Sequence, residues 1–389
     1  MKKNFFYTWM LILASLLALS SCLDSGEDTI VLEEGNSAGI PSDDLAEENP
    51  LINDPTTSIP NVQYSVEAYG NDAIVNIDMT GIQDIGTLDW LRLLGTATNG
   101  QNVWLSIDGT PKGIEVYNNS DNNDGNRQLA VDLIFLVDNS GSMSQEADAI
   151  ARDIISWSEI LEQSKLSVCF ACVSYDVWGD ISGAINFTNA QILSEYLNRS
   201  TGTDRTVGFG GEDADILSGL VNNYESVGDE CGGKALRYAD DNLDFRYGAN
   251  RVYVNFTDEP NYPNHIDDYS VKFFANQSNW NTNQGTVHTV FSGSTSFTNV
   301  DGYEESPWLI SEYTGGTTLY TTSDFSGVTL ASLPVTGAMT NSYRIRFTNV
   351  REYMDGQPHL VKITVLSEDG KTRAEKTFYM TITISGQGE

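Results

Sequence analysis

Residues 131–143 read VDLIFLVDNSGSM, and no other stretch of the chain constrains its fold as tightly. An apolar run over 133–137 stops at Asp138, and Ser140 and Ser142 follow at alternate positions. Consecutive apolar residues mark a strand covered on both faces, as in a parallel sheet. Open α/β sheets bind ligands at the C-terminal ends of their strands, which is where this carboxylate and the two hydroxyls would lie. Three oxygen donors of this kind suit a small hard cation such as Mg2+.

The surrounding chain fits a parallel sheet. Helical spacing over 145–161 places Ala147, Ile150, Ile154, Trp157 and Leu161 on one stripe. A strand LSVCFACVSY follows, then a variable loop over 177–211 and helices near 216–221 and 233–242. Strand RVYVNFTD, a helix near 271–275, strand TVHTVFSG, a helix near 308–312 and TGGTTLY complete an alternating order. On either side the period changes to two. Val62, Tyr64, Val66 and Ala68 alternate with polar residues, as do Val361, Ile363 and Val365 ahead of a turn at Asp369-Gly370. Each flank is short for a sandwich of its own, so the two are expected to pair into one antiparallel β-sandwich.

The segment DNSGS resembles the D-x-S-x-S of the metal-ion-dependent adhesion site in von Willebrand factor A and integrin I-like domains, and the order of elements over 129–334 resembles a whole A domain. The resemblance implies an α/β fold, a mostly parallel Rossmann-like sheet with helices on both faces. It would be inserted in, or flanked by, the sandwich halves 58–128 and 335–389, the layout of integrin β-subunits. It also implies a ligand set of Asp138, Ser140, Ser142, Glu230 and Asp258. Asp258 closes RVYVNFTD as Asp138 closes the first strand. Glu230 stands five residues before Ala235-Leu236, the spacing in integrin β-subunits and related bacterial domains. Asp229 occupies the place of the usual proline and is an alternative ligand, as is the acidic run 212–215. The family's mechanism implies Mg2+, or Ca2+ or Mn2+, receiving an acidic side chain from a protein partner. An adjacent second metal site is not expected, because Gln145 departs from its pattern and only Glu146 remains.

The N-terminus carries Lys2 and Lys3, an apolar stretch to Leu19, and Leu19-Ser20-Ser21-Cys22. This resembles a lipoprotein signal peptide (1–22) with Cys22 as the lipidated residue. From 23 to 57 there are ten carboxylates and no Lys or Arg, the composition of a disordered acidic spacer. Asp24, Glu27 and Asp28 resemble the export signal of surface lipoproteins in the Bacteroidetes phylum. An outer-membrane, cell-surface location is therefore expected, with the lipid bilayer as a partner through Cys22.

The 389-residue chain has 54 acidic and 21 basic residues, a net charge of −33. Such charge argues against nucleic acid as a partner. Cys169, Cys172 and Cys231 read as small buried residues rather than a metal or redox motif. Ser120, Asn122 and Asp124 before Gly125 read as a polar linker, not a calcium loop. The three histidines are scattered, with His288 packed inside a strand. No nucleophile or P-loop motif appears, so an enzyme is not expected. Trp178, Tyr262 and Trp280 are candidates for an exposed partner surface. The expected function is adhesion or protein binding. An envelope or fimbrial assembly subunit and a glycan-binding protein are the alternatives.

Overall fold

The computed structural model describes residues 39–384, apart from 122–128, 165, 298, 326–328 and 333. The described chain opens with strands β1 (Gln63–Tyr69), β2 (Asp72–Met79), β3 (Val103–Ile107), β4 (Thr110–Pro111), β5 (Glu115–Asn118) and β6 (Ala130–Asp138). Helix α1 (Ala147–Glu162), β7 (Ser167–Tyr175), β8 (Ile181–Thr188), α2 (Ala190–Asn198), α3 (Ala214–Leu220), α4 (Gly232–Asn242) and β9 (Asn250–Thr257) follow. Then come α5 (Val271–Ala275), β10 (Thr286–Phe291), α6 (Trp308–Thr314), β11 (Thr318–Tyr320), α7 (Pro334–Thr340), β12 (Tyr343–Phe347), β13 (His359–Leu366) and β14 (Arg373–Met380).

Strand β6 lies inside a six-stranded sheet of order β11-β10-β9-β6-β7-β8. All pairings are parallel except that of β7 with the edge strand β8. The apolar run of β6 serves two cores at once. Leu133 and Phe135 pack with Ile150, Ile154, Trp157 and Leu161 of α1, and the Phe135 and Trp157 rings meet edge-on at 5.8 Å. Ile134 and Leu136 face the other way, against Ala235, Leu236 and Ala239 of α4. Helices on both faces of a mostly parallel sheet make this an α/β unit of Rossmann-like architecture.

The flanking strands form two antiparallel four-stranded sheets, β1-β2-β12-β5 and β14-β13-β3-β4. Alternate residues of both sheets, among them Val75, Ile77, Leu105, Ile345, Val361, Ile363 and Phe378, share one core. Strand β12, which follows the α/β unit, pairs with β2 and β5, which precede it. The sandwich thus draws strands from both sides of the α/β unit.

Four expectations need correction. The stretch 177–211 is not a loop: it holds the antiparallel edge strand β8 and helix α2, whose Leu193, Tyr196 and Leu197 are buried. Gly183 and Asn186 interrupt the alternation of β8 and hide it in the sequence. The α/β core also runs past residue 334, because Val335 and Met339 of α7 join it. The acidic spacer is not free over 39–57. Ile40 is buried, Asp43 pairs with the buried Lys112, and Asn49 donates to Thr364 Oγ1 at 3.0 Å. Those carboxylates and amides find partners on the sandwich, which composition alone does not reveal. Trp280 is not exposed: it packs against Tyr253 and Phe274 and donates through Nε1 to the Gly285 carbonyl at 3.0 Å. Residues 1–38, with Cys22, and the segment 122–128 lie outside the described residues.

One buried charge sets the position of β9 against β6. Asp132 is fully buried within β6 and accepts from Arg246 Nε at 2.7 Å and from Arg246 N at 2.8 Å. The same guanidinium donates to the carbonyls of Val131 and Ser167. Removing one partner of a buried pair strands the other charge, so Arg246→Ala is expected to lower unfolding free energy by roughly 3–5 kcal/mol in denaturant titrations.

At the sandwich, His359 lies between Asp108 (Nδ1–Oδ2 2.7 Å) and Asp355 (Nε2–Oδ1 3.0 Å). The hydrogen bond with Asp108, then that with Asp355, holds its pKa above the ordinary value. Folding therefore favours the imidazolium. Its stabilisation is complete below the unfolded value of about 6.5 and is lost as pH rises through the higher folded value. Unfolding curves across this range should show that loss in the parent protein and a flatter profile in His359→Gln.

Candidate metal centre

The parallel register brings the C-terminal ends of β6 and β9 together. Val137 is paired with Phe256, so Asp138 lies beside Thr257 and Asp258 follows one residue on. Thr257 Oγ1 donates to Asp138 Oδ2 at 2.9 Å, and Ser140 N donates to Asp138 Oδ1 at 3.0 Å. These two bonds fix the buried carboxylate at the strand end. The chain then turns through a short 3-10 segment, Ser142–Ser144, whose Met143 is buried and holds the turn against the core.

That turn aligns three oxygens. Ser140 Oγ and Ser142 Oγ are 2.8 Å apart, and Ser142 Oγ donates to Asp258 Oδ1 at 2.9 Å. Asp138 and Ser140 are buried, Asp258 is half-buried and Ser142 is exposed. The row of donors thus runs from the sheet edge to solvent.

The loop before α4 supplies Glu230, which is buried. Its carbonyl accepts from Tyr262 N at 3.0 Å. Gly232 and Gly233 let the loop come close to its neighbours: a Cβ on Gly233 would lie 2.1 Å from the Tyr269 carbonyl oxygen, and one on Gly232 would lie 2.8 Å from Asn255 Nδ2. Asp229, half-buried, accepts from Glu230 N through Oδ1 at 3.1 Å. The competing run 212–215 lies elsewhere. Asp213 is bonded by Asn186, which also holds Asp244 beyond the C-terminal end of α4, so this run sits at the opposite end of that helix from Glu230.

The electrostatics of the cluster are one-sided. Burial, with a smaller contribution from Asp258, pushes the Asp138 carboxyl up to about 7, against hydrogen bonds from Ser140 and Thr257. Burial also raises Asp258. Glu230 is raised by burial first, then by its hydrogen bond with Asp229 and by the charge of Asp138. Among the described residues no lysine or arginine forms an ion pair with any of the three. Lys234, in the first turn of α4, is instead bound to Asp180 at 2.9 Å.

Among the described residues no three Asp, Glu, His or Cys side chains converge tightly enough to hold a metal by themselves. The donor set here depends on two serine hydroxyls in addition to carboxylates. An all-oxygen set without sulfur or imidazole fits Mg2+, Ca2+ or Mn2+ and disfavours Zn2+ or Cu2+. Next to it, Glu146 is fully buried, accepts from Ser292 Oγ through Oε1 and has no hydrogen-bond partner at Oε2. His288 is buried in β10 with Nδ1 accepting from Thr317 N at 3.1 Å, and burial lowers its pKa to about 4.

The supporting residues Thr257 and Tyr262 were not legible as such. Only Thr257 carried a signal, its position directly before Asp258. Of the candidate surface aromatics, Trp178 is 61% exposed, and Tyr262 is half-buried near Tyr303, with ring centroids 6.2 Å apart.

No protein-family model matches the chain, and no curated protein matches it in sequence. Among solved structures it is similar to the manganese-loaded TRAP protein of Plasmodium vivax, with 12% identity over 68% of this chain and 96% of that one and a TM-score of 0.33. It is also similar to the open conformation of the pilus adhesin SpaC from Lactobacillus rhamnosus GG, with 10% identity, 83% of this chain, 56% of that one and a TM-score of 0.30. A second SpaC structure gives 10% identity and a TM-score of 0.29. The chain thus spans a little over half the length of SpaC. Likenesses this distant leave the site to stand on its own geometry.

Gly233→Ala places a methyl group against the Tyr269 carbonyl, which is backbone and cannot swing aside. The substitution is expected to cost about 1–3 kcal/mol of stability, read as a lower denaturation midpoint. Gly141→Ala, with nothing within 4 Å of its added Cβ, should leave the midpoint nearly unchanged.

Proposed function

We propose that this protein is an adhesion or protein-binding module that engages an acidic side chain of a partner protein through a divalent cation. The observation that carries this reading is the aligned Ser140, Ser142 and Asp258 oxygens, 2.8 and 2.9 Å apart in sequence, with Asp138 behind them and Glu230 on the neighbouring loop. Ser140, Ser142 and Asp258 would hold the ion directly. Asp138 accepts one hydrogen bond at each oxygen, from Ser140 N and Thr257 Oγ1, and keeps a lone pair on each, so it would coordinate the ion directly or through water. A bound cation would supply an electrophilic coordination position for an incoming carboxylate.

The chain's own residues make that exchange specific. Two of the direct donors are neutral hydroxyls, so they leave positive charge on the ion for the partner. Without a cation, the site offers no positive charge to receive an acidic partner. Binding would therefore be conditional on metal, with Mg2+ the first choice and Ca2+ or Mn2+ acceptable to the same donors.

The location completes the proposal and rests on sequence alone. Cys22 would anchor the chain by lipid to the outer membrane, with the A-type unit displayed at the cell surface. A lipid anchor tethers a protein without making it transmembrane, and among the described residues no helix is long and apolar enough to cross a membrane.

Calorimetric titration of Mg2+, Ca2+ and Mn2+ tests the reading. The parent protein should bind one ion saturably, Asp138→Ala should abolish binding, and Glu230→Ala should weaken it. Equal binding in parent and Asp138→Ala would place the ion elsewhere and refute the proposal. Chelation with EDTA should release any protein partner captured by the parent.

A further inference from the structure

Asn261 lies outside the proposed ligand set, yet it is almost fully buried, 1% exposed, and every polar atom of its side chain is used. Its Oδ1 accepts from Gly233 N at 2.8 Å and from Cys231 Sγ at 3.3 Å. Its Nδ2 donates to the Tyr269 carbonyl at 3.0 Å and to Glu305 Oε2 at 3.2 Å. Its backbone N–H and carbonyl pair with those of Glu305 at 2.9 and 3.0 Å. Glu305, itself 2% exposed, accepts from Val271 N at 2.7 Å and from Gly302 N at 2.8 Å. Two buried polar side chains therefore join three loops: the one after β9, the one before α4 and the one before α6.

The consequence falls on Glu230. Its carbonyl is bonded by Tyr262 N, while Asn261 bonds the next residue, Cys231, and Gly233 beyond it. Consecutive residues 261–262 thus clamp 230–233 from one side. On the other side Gly232 meets Asn255 of β9. A glutamate can swing through several rotamers, and its backbone must be fixed before its carboxylate can meet a site defined by β6 and β9. Supporting hydrogen bonds of this kind orient metal ligands, and losing one typically lowers metal affinity about 10–100-fold.

We propose that Asn261, supported by Glu305, is the positioning residue that presents Glu230 to the metal centre. The inference rests on the metal-binding reading above. It goes further by assigning the control of one ligand to a residue that touches no metal.

A double-mutant cycle on the full-length protein in detergent tests it, with Mn2+ as the probe and affinity read by calorimetry. Asn261→Ala should weaken Mn2+ binding about tenfold in the parent and change it little in a Glu230→Ala background, because the residue through which it acts is already gone. A merely structural role would produce the same fold loss in both backgrounds, and that result would overturn the proposal. Unchanged affinity in Asn261→Ala would overturn it too while leaving the metal site standing. Failure of the parent to bind Mn2+ would sink both readings together. Thermal melts accompany each titration. If Asn261→Ala does not fold, Glu305→Gln enters the same cycle, since it keeps the side-chain shape but sets an N–H against either the Gly302 donor or the shared Val271 and Asn261 donors.

Discussion

The parallel pairing of β6 with β9 is the constraint on which the rest of the site depends. Strand register is fixed where both faces are buried, because a slip of one residue would turn every side chain to the wrong core. Here the faces differ in kind: Leu133 and Phe135 meet α1, whereas Ile134 and Leu136 meet α4. The Asp132–Arg246 pair adds a polar pin near the start of β6. With that register set, Asp138 and Asp258 must emerge side by side at the same sheet edge, and Thr257 must reach Asp138.

Bringing carboxylates together out of water is costly unless something offsets their charge. Elsewhere in the molecule the offset is a basic side chain: Arg344 meets Asp78, Lys112 meets Asp43, Arg246 meets Asp132. At the β6–β9 edge among the described residues no such partner is present, and Asp138, Glu230 and Asp258 all have raised pKa values. The fold supplies hydroxyls there instead, in a row that opens to solvent at Ser142. Burial raises Asp78 and Asp132 as well, so what sets this edge apart is the missing basic partner, in keeping with the cation site proposed above.

Much of this was legible in the sequence where a single physical signal dominated. An apolar run that ends at a carboxylate gives both a buried strand and the place where its loop begins, so β6, β9 and the places of Asp138 and Asp258 beyond their apolar runs could be read from the pattern, whereas grouping them with Ser140 and Ser142 as one ligand set came from the family resemblance. Alternation pointed to β1 and β13. What escaped depended on tertiary partners. Strand β8 has interrupted alternation and gains its place by lying antiparallel against β7. Helix α7 has a short apolar pattern that makes sense only against the core containing Phe256 and Val290. The segment 39–57 has the composition of a spacer but is held by Lys112, Thr364 and other groups far along the chain. Asn261 looked like any polar loop residue, since its role comes from a loop about 30 residues earlier and another about 44 residues later.

The most direct measurement of the central claim is anomalous diffraction from crystals grown with Mn2+. An anomalous peak within coordination distance of Ser140 Oγ, Ser142 Oγ and Asp258, with Glu230 turned toward it, is the result the geometry predicts. Peaks confined to other carboxylates, or none in crystals where Ser140, Ser142 and Asp258 are well ordered and open to solvent, would contradict it.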